Sequence, residues 1–365
     1  MSLRSNSIMT FTEIIRHRFV NQQIGKGQFG SAKELVTWMG AMQAQDLNMV
    51  KWAIGLRLAS ATEKSVEDAI DRGEIIRTHV LRPTWHIIPA DDLHWMLKLT
   101  APYIRSSMNT RHRQLEITPE IIKKCYRVIR KRLSGKACVT REELVNGFEN
   151  AGIINKDNRA AHLLMLAELD GIICSGPLVN NSHTYTLIEK RVPAGRQLDR
   201  PDSLTELAYR YFASHGPATL DDFTWWSGLP LRDTRSALEG VKQNLESITI
   251  DSKVYWFQSS GNDFAAADDQ AFLLPAYDEF IISYKDKKAI LTDENHLRTV
   301  ASNGFFRPII IANEMVIGVW KRTIIKDKVT VEPKYFKPVP KKNLLRISEK
   351  FMDYGNFLEK EIKIS

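Results

Sequence analysis

Cysteine is scarce in this 365-residue chain: Cys125, Cys138 and Cys174 stand far apart. They supply neither a disulfide framework nor a CxxC metal site. The histidines offer no HxxxH or HExxH pair, and His79 and His86 are seven residues apart. No metal and no cofactor is therefore expected. No apolar run reaches the ~18 residues that a membrane span needs. The start, "MSLRSNSIMTF", lacks the apolar core of a secretory leader, so the cytoplasm is the expected location.

Another absence disposes of a tempting motif. Residues 24–30, "IGKGQFG", match the glycine-rich loop of a kinase, but no HRD and no DFG triplet follows. A dinucleotide fold would need a βαβ unit, and that context is also missing. Ser31 with Glu34 instead opens a helix as a capping box. The glycines are expected to form a loop without phosphate.

What the chain does have is positive charge, 51 Lys+Arg against 43 Asp+Glu, a balance of +8. That favours an anionic partner, nucleic acid above all. The charge concentrates between 105 and 136, where Arg105, Arg111, Arg113, Lys123, Lys124, Arg127, Arg130, Lys131, Arg132 and Lys136 meet only Glu116 and Glu120. A solvated helix face and a phosphate-binding surface both remain open readings of this run.

The capping box recurs at Ser31/Glu34, Thr140/Glu143 and, with aspartate, Thr219/Asp222. Each opens a short helix and a second helix follows. After the second and third copies come two β-rich runs around a polar tip, "PLVNNSH" in one and Asp251–Ser252 in the other. Helix, turn, helix, hairpin is the order of a winged helix. The first copy is similar, with an extra helix, "SVEDAIDRGE", before "TWHIIP". The expected class is α+β: three tandem winged-helix units at 10–105, 106–195 and 200–260, then a β-rich domain with a terminal helix at 261–365. In such units one helix usually enters the major groove of DNA and the wing lies near the minor groove. Asn180, Asn181 and His183 at the second tip could enter a groove or could form a solvated turn.

Four stretches, "MGAMQAQDLNMVKWAIGLRL", "IIRTHVLRPTWHIIPADDLHWML", "FLLPAYDEF" and "NGFFRPIIIANEMVIGVWKR", resemble the AlkZ/YcaQ family of winged-helix DNA glycosylases. The resemblance runs from about residue 10 to 340. It implies a C-shaped monomer with double-stranded DNA in its concave face, and excision of alkylated purines, bulky and crosslinked adducts included. The family's catalytic signature, Gln-aliphatic-Gln, falls on Gln43-Ala44-Gln45. Its Arg-Gly-Thr-x-His stretch falls on Arg82, Thr84 and His86, with Pro83 in place of the glycine.

A neutral pair suits that chemistry. A purine alkylated at N7 or N3 carries positive charge and leaves as a neutral base, so little protonation is required. The protein must place a water beneath C1′ and stabilise an oxocarbenium-like sugar. A glutamine carbonyl can accept from that water while its amide holds a phosphate or sugar oxygen. Residues i and i+2 lie about 200° apart on a helix but share a side in an extended segment. Gly40 and Asp46, an N-cap, put 41–45 between helices. The other reading is a polar interhelical corner. Asp46 could contact water or sugar instead of capping. His86 could touch DNA or be a satisfied core histidine. Arg77, Arg82, Thr84, Arg111, Arg113, Lys321 and Arg322 are candidate DNA contacts, and Trp225, Trp226 and Trp320 are expected in the core rather than as base-stacking platforms. A non-catalytic winged-helix DNA-binding protein is the rival function.

Overall fold

A computed structural model describes residues 9–25, 27–192, 194–258, 270–301 and 304–365. Residues 1–8, Lys26 of the glycine loop and the expected 260/261 domain boundary lie outside these.

In the second unit, Thr118 caps helix Pro119–Leu133, strand Val139–Thr140 follows, and the Thr140/Glu143 capping box opens helix Arg141–Asn150. Helix Arg159–Leu169 and a hairpin of Ile173–Ser175 and Thr184–Leu187 complete it, with Val139–Thr140 as the third strand. The third unit repeats the plan. Helix Arg200–His215 leads to Ala218, which bridges Trp256; the Thr219/Asp222 box opens Leu220–Ser227; then come Leu231–Val241 and the hairpin Glu246–Ile250 with Lys253–Phe257.

Laid over this plan, the first unit starts one helix earlier than the capping boxes imply. Ser31 opens Ala32–Met39, the helix before the short strand. Strand Met42–Gln43 pairs with Trp85–Pro89, as Val139–Thr140 pairs with Thr184–Leu187. The cap matching Thr140 and Thr219 is therefore Asp46, which opens Leu47–Gly55. The extra helix, Glu63–Asp71, then falls into place before the hairpin Ile75–His79 and Trp85–Pro89. Capping boxes mark any helix start. Strand pairing, which distinguishes the equivalent ones, is not visible in a local motif.

A further expectation is corrected by packing. Helix Phe11–Asn21 lies in the first stretch of sequence but packs on the third unit, where Arg18 Nε donates to the Pro217 carbonyl (2.9 Å) and Asn21 to that of Gly216 (2.8 Å). The last helices of the first two units differ in exposure, Glu63–Asp71 burying only Val66, Ala69 and Ile70. Arg159–Leu169 is buried over most of its length, and Glu63 and Glu67 of the first unit clasp the fully buried Lys51 at 2.6 and 2.7 Å.

The C-terminal sheet runs in the order Glu361–Ile364, Lys328–Tyr335, Met315–Ile325, Ile309–Ala312, Ala271–Leu274, with helix Lys341–Leu358 packed on it. It shares a core with the first unit that includes Met42, Trp52, Ile87, Trp320 and Tyr354. Arg57 and Asp278, both fully buried, form a two-pronged ion pair (2.7 and 2.9 Å) across this joint. The glycine loop serves close packing: a Cβ at Gly27 would lie 2.3 Å from the Leu58 backbone.

Candidate active site

The helix before the glutamines ends at Met39, where Gly40 takes φ +76°. Strand Met42–Gln43 follows, Ala44 prolongs its pairing through its N–H, and the chain bends at Gln45; alternation along the strand sets the directions. Met42 and Ala44 enter the core shared with the C-terminal sheet, whereas Gln43 is half-buried and Gln45 exposed on the other side. The condition for the two carboxamides to act together, that the helix end before Gln45, is met.

Each part of this segment is tied down. The Gln43 N–H donates to Glu279 (2.5 Å), the Ala44 N–H to the Trp85 carbonyl (2.7 Å), and Arg77 Nε to the Ala44 carbonyl (2.9 Å). The side chains are oriented as well. Arg82 donates to Gln43 Oε1 (2.9 Å) and the Trp85 N–H to Gln45 Oε1 (3.3 Å). One lone pair of each carbonyl is thereby engaged, leaving a second lone pair and two amide hydrogens per side chain.

The surrounding charges are fixed. Burial opposes ionisation of Glu279, yet His215, 3.7 Å away, and hydrogen bonds from the Ser283 hydroxyl and the Gln43 N–H hold its carboxyl down to about 2. Burial, with the charge of Arg82 adding to it, lowers His86 to about 3. Neutral His86 donates from Nδ1 to the Thr84 carbonyl (2.9 Å), so its Nε2 is an acceptor; that atom, Thr78 Oγ1, Thr84 Oγ1 and Arg82 Nε are buried without a partner among the described residues. His86 faces Gln43 on one side and Thr78 on the other in strand register, so this unused capacity lies behind the pair.

The other candidates divide. Arg82, Thr84 and Asp46 gather at the glutamines, Asp46 capping Asn48 and Met49 at 3.0 Å each through a single oxygen. Arg77 is buried, lowered by that burial to about 10, and stacks at 4.1 Å over Trp85; it supports the segment from within. His86 is wholly buried, not on the surface. The second wing docks on the first unit through its flank, while its tip, residues 179–182, stays exposed. Asn181 accepts from Lys51 (2.9 Å) and His183 packs edge-on against Trp85 (4.9 Å). Asn180 and Asn181 take positive φ, the turn alternative. Arg111 and Arg113 are exposed, far along helix Leu93–Gln114. Lys321 is exposed on the C-terminal sheet, and Arg322 bonds the Tyr354 hydroxyl. A cleft of about 1120 Å³ opens between the third hairpin and residues 285–291, with neither glutamine in its wall.

Glu279 escaped the sequence reading although "AYDEF" was in view. Its contacts reach Gln43, Trp226 and Ser283, and nothing local announces a partner 236 residues away.

Fold and family together place the chain among winged-helix DNA glycosylases, enzymes that hydrolyse N-glycosidic bonds. The chain belongs to the AlkZ-like DNA glycosylase family, whose model matches residues 36–357. It is similar to an interstrand DNA cross-link repair glycosylase of Streptomyces sahachiroi, 22% identical over 322 residues, 83% of this chain and 85% of that one. Among solved structures, the Streptomyces sahachiroi DNA glycosylase AlkZ shares the fold, with a TM-score of 0.79 at 18% identity over 98% of this chain and 100% of that chain.

Proposed function

We propose that the chain is a monofunctional DNA glycosylase that releases N-alkylated purines from double-stranded DNA, with Gln43 and Gln45 positioning the attacking water. The observation that carries this reading is the anchoring of both carbonyls, by Arg82 and by the Trp85 N–H. Side chains held in this way need no reorganisation when C1′ becomes electron-poor. Each carbonyl keeps one lone pair for a water proton, and the amide hydrogens can hold a phosphate or sugar oxygen.

The fixed protonation states fit a leaving group that needs no acid. His86 stays neutral and Glu279 ionised at neutral pH. An unmodified purine leaves as an anion and would find no proton donor in this pair, which gives selectivity for cationic lesions. Since a relative is named for interstrand crosslink repair, adducts joining two N7-alkylated purines belong in the substrate panel.

Incubation with duplex DNA carrying N7-methylguanine should free the base and leave an intact abasic strand. Gln43→Ala combined with Gln45→Ala should stop release while DNA affinity holds within about twofold. Affinity falling with an unchanged rate would refute the water-positioning role. DNA binding without release from any alkylated purine would favour the non-catalytic binding protein.

A further inference from the structure

Trp225 and Trp226 are neighbours with opposite fates. Trp226 is fully buried, whereas Trp225 is 45% exposed, its Nε1 tied to the Ile282 carbonyl at 2.9 Å. Two cations flank the exposed indole: the Arg82 guanidinium 6.0 Å from the ring centroid and the Lys287 ammonium 5.5 Å from it. Lys287 donates to the Tyr284 carbonyl (2.8 Å) and lies 5.8 Å from the Phe306 ring, which is 6.1 Å from Tyr277. Tyr277 is held at φ +59°, a costly backbone for an aromatic residue, by the buried Asp278 and Glu279 that follow it.

Arg82 also bonds Gln43, and Tyr277 senses the charge of Asp46. A run of cations and aromatic rings therefore leads from Arg82 at Gln43 through Trp225 and Lys287 to Phe306 and Tyr277. Arg82 belongs to the first unit's hairpin, Trp225 to the third unit, and Tyr277, Lys287 and Phe306 to the C-terminal segment.

Cation–π attraction alone leaves both cations with unused donors and the indole with open area. A half-exposed indole with two cations over its ring, 5.5 and 6.0 Å away, matches one nucleotide: the base stacks on the exposed part and the phosphate bridges the charges. A base inside a paired duplex has both faces covered by its neighbours, so only an unstacked nucleotide can use the site. We propose that Trp225, with Lys287 and Arg82 beside it, seats one unpaired, unstacked nucleotide of the DNA at the lesion. This rests on the glycosylase reading for the identity of the ligand as DNA.

The test is equilibrium binding, by fluorescence anisotropy, to two duplexes of equal length. One is fully paired; the other carries a single tetrahydrofuran abasic site, which leaves the opposing base unpaired. Trp225→Ala should weaken binding to the abasic duplex about tenfold, and Lys287→Gln by about five- to tenfold. Both should change binding to the paired duplex less than about twofold. Trp225→Phe, which keeps an aromatic face, should stay within about twofold on both. Lys287→Gln should also flatten the salt slope by about 0.9, the signature of a lost phosphate contact. Equal losses on both duplexes, or none on either, would overturn the proposal. The binding contrast needs no base release. A chain with this pattern that frees no base keeps the site and sinks the glycosylase reading. A chain that frees base while both variants bind like the wild type does the reverse.

Discussion

The glutamine segment and the basic helix Pro119–Leu133 both look polar in sequence, yet the fold treats them in opposite ways. Around Gln43 the polar groups are buried and bound one to another: Arg77 to Ala44, Arg82 to Gln43, Glu279 to the Gln43 N–H, Arg57 to Asp278. Along Pro119–Leu133 the charges Lys123, Lys124, Arg127, Arg130, Lys131 and Arg132 all face solvent, while Cys125, Ile129 and Leu133 alone are buried. Geometry is enforced in the first region, and the second supplies an electrostatic field. A buried joint loses much when one partner is removed. An exposed charge loses little beyond its reach for phosphate.

The largest effect should come from the paired change Gln43→Ala and Gln45→Ala, expected to slow single-turnover base release by ~100-fold or more, in the range set by loss of pre-organised polar groups. Next is Asp278→Ala, which strands the fully buried Arg57. It should cost about 3–5 kcal/mol in a denaturant titration, and a loss under about 1 kcal/mol would mean that the joint is not rigid. Glu279→Gln keeps the shape but cannot accept at both oxygens. We expect about a tenfold lower rate with an unchanged Kd for DNA, and an unaltered rate would remove Glu279 from the positioning of Gln43.

On the other side of the comparison, Lys123→Gln, Arg127→Gln and Arg113→Gln together should leave stability within about 0.5 kcal/mol. They should flatten the plot of log K against log salt by about 0.9 per contacted phosphate. An unchanged slope would mark this face as merely solvated.

The smallest effect concerns pH. His86 is neutral and Glu279 ionised throughout the neutral range, so base release from N7-methylguanine should vary less than about twofold between pH 6 and 8.5; a limb near 6.5 would contradict that assignment. Stability should behave differently. Burial lowers His17 and His112 to about 4 and His86 to about 3, so below pH ~6.5 the unfolded chain binds more protons than the folded one. Stability then rises with pH, and the melting temperature should drop by several degrees on going from pH 7 to 5.

Much of the fold was legible because its signals are local. Thr140/Glu143 and Thr219/Asp222 do form capping boxes, and hairpins follow both. The same locality misled at Ser31, whose box opens a helix that the other units begin without one. At the site, Gln43 and Gln45 were visible as residues, and Gly40 and Asp46 marked the extended stretch between helices. The docking of the second wing was not visible, because Asn181 meets Lys51 across 130 residues and a turn of asparagines reads the same on any surface.

The sequence by itself determined where helices start, where strands alternate, and that an uncharged pair stands ahead of an N-cap. Those properties depend on neighbours a few residues apart. Which way the pair faces, which lone pairs are already taken, and which charges stay buried were decided by the tertiary structure. Arg82, Trp85 and Glu279 reach Gln43 and Gln45 over 39, 40 and 236 positions, and only chain folding brings such donors and acceptors within 3.3 Å.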